Sequence, residues 1–303
     1  MKQLLTFLKN WTLPTAIIVG TAGFPVFGRF DFLLPYLIFA MLLLTFCRIP
    51  LSNIRLNLLH CLLFGFQIGG SLLAYVLLAP FNILLAEGAM VCIISPPGTA
   101  SAVITQKLGE DAASITSFSI LSNLGTAIAV PLLFPLLHPL EEGYMGFWPA
   151  FFTILQKVGP ILILPFILAA LLRRFTPKLN QRLCDVQEVA FYLWSSALVI
   201  VVAKTVNAVV HDPAVGTTTI WLGLTATCVC AIQFFAGKQI GTCFGERITG
   251  GQALGQKNSV LAVWIAQNYL TPVTAVAACA HLICQNLFNA WQLATTRRRQ
   301  EPL

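Results

Sequence analysis

Ten stretches of this chain are apolar for long enough to cross a lipid bilayer as a helix, and nothing else in it constrains the fold as much. A helix needs about 20 apolar residues to span about 30 Å of hydrocarbon. The runs lie near 11–28, 32–46, 57–79, 83–106, 112–137, 149–172, 186–210, 217–240, 249–268 and 271–294. Hydrophobic residues make up 57% of the 303 positions and charged ones 10%, where a soluble chain carries about 25% charged. So few charges cannot cover a water-facing surface. A soluble enzyme, a nucleic-acid-binding domain and a disordered chain are excluded. The expected fold is an all-α polytopic membrane protein.

The orientation follows from the basic residues. The segment Met1 to Phe24 carries Lys2 and Lys9 ahead of an apolar stretch, as a signal peptide does, but Pro14 interrupts it and no small-x-small cleavage site is clear. It is read as span 1. With a cytoplasmic N-terminus, the inside loops hold Lys2, Lys9, Arg48, Arg55, Lys107, Arg173, Arg174, Lys178, Arg182, Lys238, Arg247 and Arg297 to Arg299. Arg29 stands alone outside, and Lys157, Lys204 and Lys257 lie within spans. This asymmetry predicts a multi-pass protein of the inner (plasma) membrane with both termini cytoplasmic. The net charge of +7 is thus assigned to loops and not to nucleic acid. Neither the nine cysteines nor the four histidines show metal-site spacing, so no metal is expected.

Residues 138–148, His-Pro-Leu-Glu-Glu-Gly-Tyr-Met-Gly-Phe-Trp, divide the spans five and five. Five is odd, so the second half re-enters the membrane inverted. The expectation is two inverted five-helix repeats, 1–137 and 149–303, joined by an external linker at 138–148. In transporters built this way the site lies where matching spans are interrupted. Span 4 is interrupted by Ser95-Pro-Pro-Gly-Thr-Ala-Ser101 and span 9 by Gly250-Gly251-Gln252-Ala253-Leu254-Gly255-Gln256-Lys257-Asn258-Ser259. Two prolines unwind a helix, and the second stretch is too polar to face lipid. Spans 4 and 9 are therefore expected to be broken and to cross at the midplane. The half-helices beyond the breaks would aim free N–H groups at an anion.

At these residues the chain resembles the bile acid:sodium symporter family. Pro96-Pro97-Gly98-Thr99-Ala100-Ser101-Ala102 is similar to its signature Pro-Gly-Gly-Thr-Ala-Ser-Asn. Gly109-Glu-Asp-Ala-Ala-Ser114 looks like the turn that follows. Gln67 matches a glutamine of span 3. Ala253-Leu-Gly255-Gln-Lys257-Asn258-Ser-Val-Leu261-Ala262 is similar to Glu-x-Gly-x-Gln-Asn-x-x-Leu-Ala. The resemblance implies a core of spans 3–5 and 8–10, a panel of spans 1, 2, 6 and 7, and a small organic anion bound between them. Thr99, Ala100, Ser101, Asn258 and Ser259, which follow the breaks, are expected to contact substrate, and Thr99, Ser101 and Asn258 match the family's substrate-contacting motifs.

The departures from that family bear on coupling. Its two sodium ions are held by side-chain oxygens, yet the shared glutamate stands here as Ala253, the glutamine as Lys257 and the asparagine as Ala102, with Phe118 near a further hydroxyl position. A lysine offers a hard cation no oxygen. No cofactor is expected, and two-sodium coupling is not; a proton remains a candidate coupling ion. Lys257 is the residue singled out, with Gln67, Ser114 and Gln256 around it. Its ammonium either occupies the vacated cation position, bonded to Gln67 and broken-helix carbonyls, or meets the substrate's anionic group. A charge inside a span costs roughly 2.5–3.5 kcal/mol and generally carries function. Lys157 and Lys204 either face the cavity or snorkel to the interface, and Asn123 either supports the crossover by hydrogen bonds or packs between helices.

The function expected is secondary transport of a small organic anion by alternating access, independent of sodium. The alternatives left open are a membrane-embedded sensor for such an anion and a sodium symporter with a rearranged site. An intramembrane enzyme is not expected, since no Asp or Glu is read deep in any span.

Overall fold

The computed structural model describes residues 11–49, 54–137, 146–211 and 216–300, without the side chains of 187, 188, 297, 299 and 300. Lys2, Lys9 and most of the 138–148 linker lie outside the described residues. The described chain is helical throughout, apart from its connections and one isolated bridge. In order the helices are α1 (Thr12–Ala22), α2 (Phe24–Phe27), α3 (Leu34–Cys47), α4 (Leu58–Leu78), α5 (Ile83–Ile94), α6 (Ser101–Lys107) and α7 (Ala112–Leu137). There follow α8 (Phe147–Phe175), α9 (Pro177–Asp185), α10 (Gln187–His211), α11 (Gly216–Thr242), α12 (Arg247–Gly255), α13 (Ser259–Tyr269) and α14 (Ala275–Gln300). A 3₁₀ segment, Gly28–Leu33, runs from α2 into α3.

Among the described residues seven helical segments are long and apolar enough to cross a membrane, and α1 and α5 are shorter apolar helices. Large side chains such as Ile18, Phe81, Ile220 and Phe235 stand exposed on the outside. Apolar surface on that scale is stable against lipid tails and not against water. The protein is a multi-pass membrane protein.

Side-chain caps fix several helix starts. Asn57 and His60 form a reciprocal capping box at α4, and Asn82 accepts the N–H groups of Leu84 and Leu85 at α5. In the capping box His60 Nδ1 accepts from the Asn57 N–H, so Nε2 carries the ring proton and donates to Ser114, 3.0 Å away.

α3 packs on α8 and α10, α1 on α10, and α9 on α3 and α8. α11 packs against α12, α14 and α5, α5 against α4, and α7 lies along α8. The closest approach is between α11 and α12, where a Cβ on Gly237 would lie 2.1 Å from the Gly250 carbonyl oxygen and one on Gly250 would lie 2.2 Å from the Gly237 oxygen. Only two glycines facing each other allow backbones this near.

α9 is a polar surface helix within a stretch the sequence reading treats as a loop. It is too short and too charged to register as a span. Its Asn180 and Cys184, with Arg173 at the end of α8, all donate to the Cys47 carbonyl and so hold the end of α3. Lys204, left between two roles by its sequence, pairs with Asp31, and Lys157 is exposed.

The loop before α7 anchors α12. Glu110 accepts from the N–H groups of Ile248 (2.8 Å) and Thr249 (2.7 Å) at the positive end of that helix. Glu110→Ala should therefore lower stability by about 2 kcal/mol, with Glu110→Gln losing about half as much. Thermal unfolding of the detergent-solubilised protein measures both, and equal midpoints for Ala and wild type would remove this anchor.

Candidate functional site

Both breaks read from the sequence are non-helical, and they meet. α5 ends at Ile94 and α6 begins at Ser101; α12 ends at Gly255 and α13 begins at Ser259. Between them Pro97 and Lys257 face each other in an antiparallel bridge. The Gly98 N–H donates to the Gln256 carbonyl at 2.9 Å, and the Asn258 N–H donates to the Pro96 carbonyl at 2.8 Å. In this pattern the facing residues direct their own N–H and C=O away from each other. Proline fits position 97 because an N–H there would have no partner across the bridge. A Cβ on Gly98 would come within 3.0 Å of the Lys257 oxygen, so a small residue is needed there.

The outward edge of Lys257 is closed by Gln285 on α14. Its Oε1 accepts from the Lys257 N–H (2.8 Å), and its Nε2 donates to the Lys257 carbonyl (3.1 Å). One side-chain amide thus acts as a third strand. The sequence reading did not include Gln285. The available signal was the recurrence of polar residues at 281, 285, 289 and 292 inside an apolar run, a helical spacing that puts them on one face.

The Lys257 ammonium donates to the Ile93 carbonyl at 2.9 Å and is almost fully buried. That carbonyl belongs to the last turn of α5, the negative end of its dipole, where backbone acceptors have no helical donor. Its neighbours are satisfied in the same way. Ser95 Oγ donates to the Val91 carbonyl, and Gln67 Nε2 and Thr126 Oγ1 both donate to the Ile94 carbonyl. Gln67 also accepts from Ser122 and donates to Thr126. Gln67 and Lys257 therefore serve adjacent carbonyls of one helix end without bonding each other, as one sequence reading had them do. Ser114 lies apart, bonded to His60.

A pocket of about 860 Å³ opens onto the crossover. Thr99, Ala100, Gln256, Lys257, Asn258 and Ser259 line it, with Gln285 and Asn286 from α14, Trp194 and Phe191 from α10, and Arg48 and Asp111 nearer its rim. Ser101, expected beside Thr99, is buried and does not line it. As the first residue of α6 it uses its N–H in a turn to the Gly98 carbonyl. Asn258 caps α13 through its side chain, accepting from the Leu261 N–H. Gln67 and Ser114 are likewise outside the lining.

Three of the positions that the sequence resemblance singles out share one hydrophobic cluster. Ala253 and Phe118 belong to a buried cluster with Leu59, Leu63, Ile115 and Leu254, and Ala102 packs against it. None of these three side chains offers a hard cation an oxygen. Glu87, near the start of α5 and not read as deep in a span, is fully buried, and its carboxylate accepts from the Thr271 N–H at 3.0 Å. It ties α5 to the connection between α13 and α14. Asn123 is buried and donates to the Ser119 carbonyl within its own helix.

Comparison of the chain with protein-family models and with curated proteins finds no match.

Proposed function

We propose that this protein is a secondary transporter of a small organic anion that works by alternating access and without sodium. In this reading ten spans form two inverted five-helix repeats, 1–137 and 149–303. α5–α6 and α12–α13 are the broken spans, and both termini are cytoplasmic. α4 to α7 and α11 to α14 are the core, and α1, α3, α8 and α10 the panel that moves against it. Substrate binds between them, against Thr99, Ala100, Asn258 and Ser259, where α6 and α13 begin.

The observation that carries this reading is the bridged crossover at the wall of the pocket, with a buried ammonium fixed to the end of α5. Unwound backbone inside a membrane protein is tolerated where it lines a cavity or is buried in protein, and here it does both. Lys257 supplies a positive charge at the α5 carbonyls, and the side chains of Ala102, Phe118 and Ala253 add no oxygen ligands. A sodium ion about 4 Å from the ammonium would be repelled by about 4 kcal/mol at an effective dielectric of 20. That weakens its binding roughly several hundred-fold.

The test is uptake of a radiolabelled keto acid and a radiolabelled bile acid into proteoliposomes, in sodium and in choline buffers. Equal uptake in the two is expected. Uptake that collapses in choline would favour a rearranged sodium site. A ligand that raises the unfolding temperature and is never transported would favour a sensor.

A further inference from the structure

One face of α14 is polar where its surroundings are not. His281, Gln285, Asn289 and Gln292 follow at intervals of four, four and three residues, each more than nine-tenths buried. They share one face and extend over about 17 Å of helix. Their partners come from other segments. His281 Nε2 bonds Gln233 Oε1 on α11 at 2.8 Å, Gln285 holds Lys257, and Gln252 Nε2 on α12 donates to Asn289 Oδ1 at 2.8 Å. Gln292 Nε2 donates to that same oxygen at 3.2 Å.

The seam is polar but not self-sufficient. Gln233 Nε2, Gln252 Oε1, Gln256 Oε1 and Asn289 Nδ2 are buried and have no hydrogen-bond partner among the described residues. Native proteins rarely leave such atoms unpaired, and buried water with two to four polar partners is the usual remedy. The orphans are spread along the seam on both sides of Lys257's partner Gln285, and they include both donors and acceptors. Asn289 Oδ1 accepts twice while its Nδ2 donates to nothing among the described residues.

We infer that this face of α14 is an internal water site: a file of bound water running from the Gln292 end of the helix, past Lys257, to the Gln233–His281 pair. Gln233, Gln252, His281, Asn289 and Gln292 do not line the substrate pocket. The file therefore extends beyond the pocket lining, which it meets at Gln285 and Lys257. Its use as a proton route to Lys257 rests on the transport reading; the water site does not. The titratable groups that interact with Lys257 are Cys92 on α5 and His281 on α14.

Radiolytic hydroxyl labelling of the purified full chain in oxygen-18 water, read by mass spectrometry, tests the site. His281 should label like the exposed His211, while Phe118 and Phe134, just as buried but in apolar clusters, stay unlabelled. A His281 as silent as Phe134 overturns the inference. Gln252→Leu with Asn289→Leu should then remove most of the His281 label, and an undiminished label would overturn the continuous file. If that double variant does not fold, the wild-type comparison still decides. No transported solute is involved, so a dry seam leaves the transport reading standing, and failed transport leaves a labelled seam standing.

Discussion

Lys257→Met should lower uptake by about 100-fold while the protein remains folded. The ammonium makes a charge-assisted bond to the Ile93 carbonyl, and such bonds contribute about 1.5–3 kcal/mol. If the full amount is lost in the binding-competent state, about 3 kcal/mol converts to about two orders of magnitude. Stability should change far less than activity. Replacing a buried charge by an apolar chain of similar length removes its desolvation cost, which offsets much of the orphaned acceptor. Lys257→Arg should not rescue activity, because a planar guanidinium needs more room than this buried site offers. Lys257→Gln combined with Ala253→Glu restores oxygen ligands and should return part of the uptake in a sodium-dependent form. Uptake by Lys257→Met at the wild-type rate would show that the ammonium has no part in transport.

Gly250→Ala should be among the most damaging single-methyl changes in the molecule. The new Cβ would stand 2.2 Å from the Gly237 carbonyl oxygen, 2.9 Å from the Gly241 Cα and 3.0 Å from its nitrogen. All three are backbone atoms, so no rotamer change relieves the contact, and α11 must part from α12. Overpacking typically costs 1–3 kcal/mol and more where backbone must shift. Since α12 leads into the crossover, the displacement reaches Lys257 as well. Gly223→Ala on α11 is the control, because a Cβ there meets nothing within 4 Å. Thermal unfolding should show a large drop for the first and none for the second. Matching midpoints would mean that the two helices are not held at this separation.

The class of the molecule was legible because lipid imposes a strong rule: a spanning helix must be apolar for about 20 residues. The breaks were legible for a related reason, since Pro96, Pro97 and the polar run 250–259 violate that rule locally. What the breaks do to each other was not, because a two-residue bridge between segments 160 residues apart leaves no local pattern. Ser101 shows the limit in one residue. It sits in the motif, yet its place as the first residue of α6 turns it away from the pocket that Thr99 and Ala100 line. Gln285 shows the opposite case, a residue outside any motif that closes the edge of the crossover. Polar side chains within an apolar span marked it, but only its backbone partner gives that mark a meaning. α9 escaped notice because a short charged helix lying on a protein surface resembles a loop in composition.

The tether on the Lys257 charge has an electrical consequence. A bound ion leaves with its cargo and brings its own charge across; an ammonium anchored to the backbone does neither. On the transport reading, a cycle in which Lys257 keeps its proton moves the anion's charge alone. An inside-negative voltage of about 100 mV then opposes each entering negative charge by about 2.3 kcal/mol and drives each leaving one by the same amount. Under that voltage the same machinery would run as an exporter. A cycle in which a proton accompanies each negative charge would be electrically silent and free to run inward.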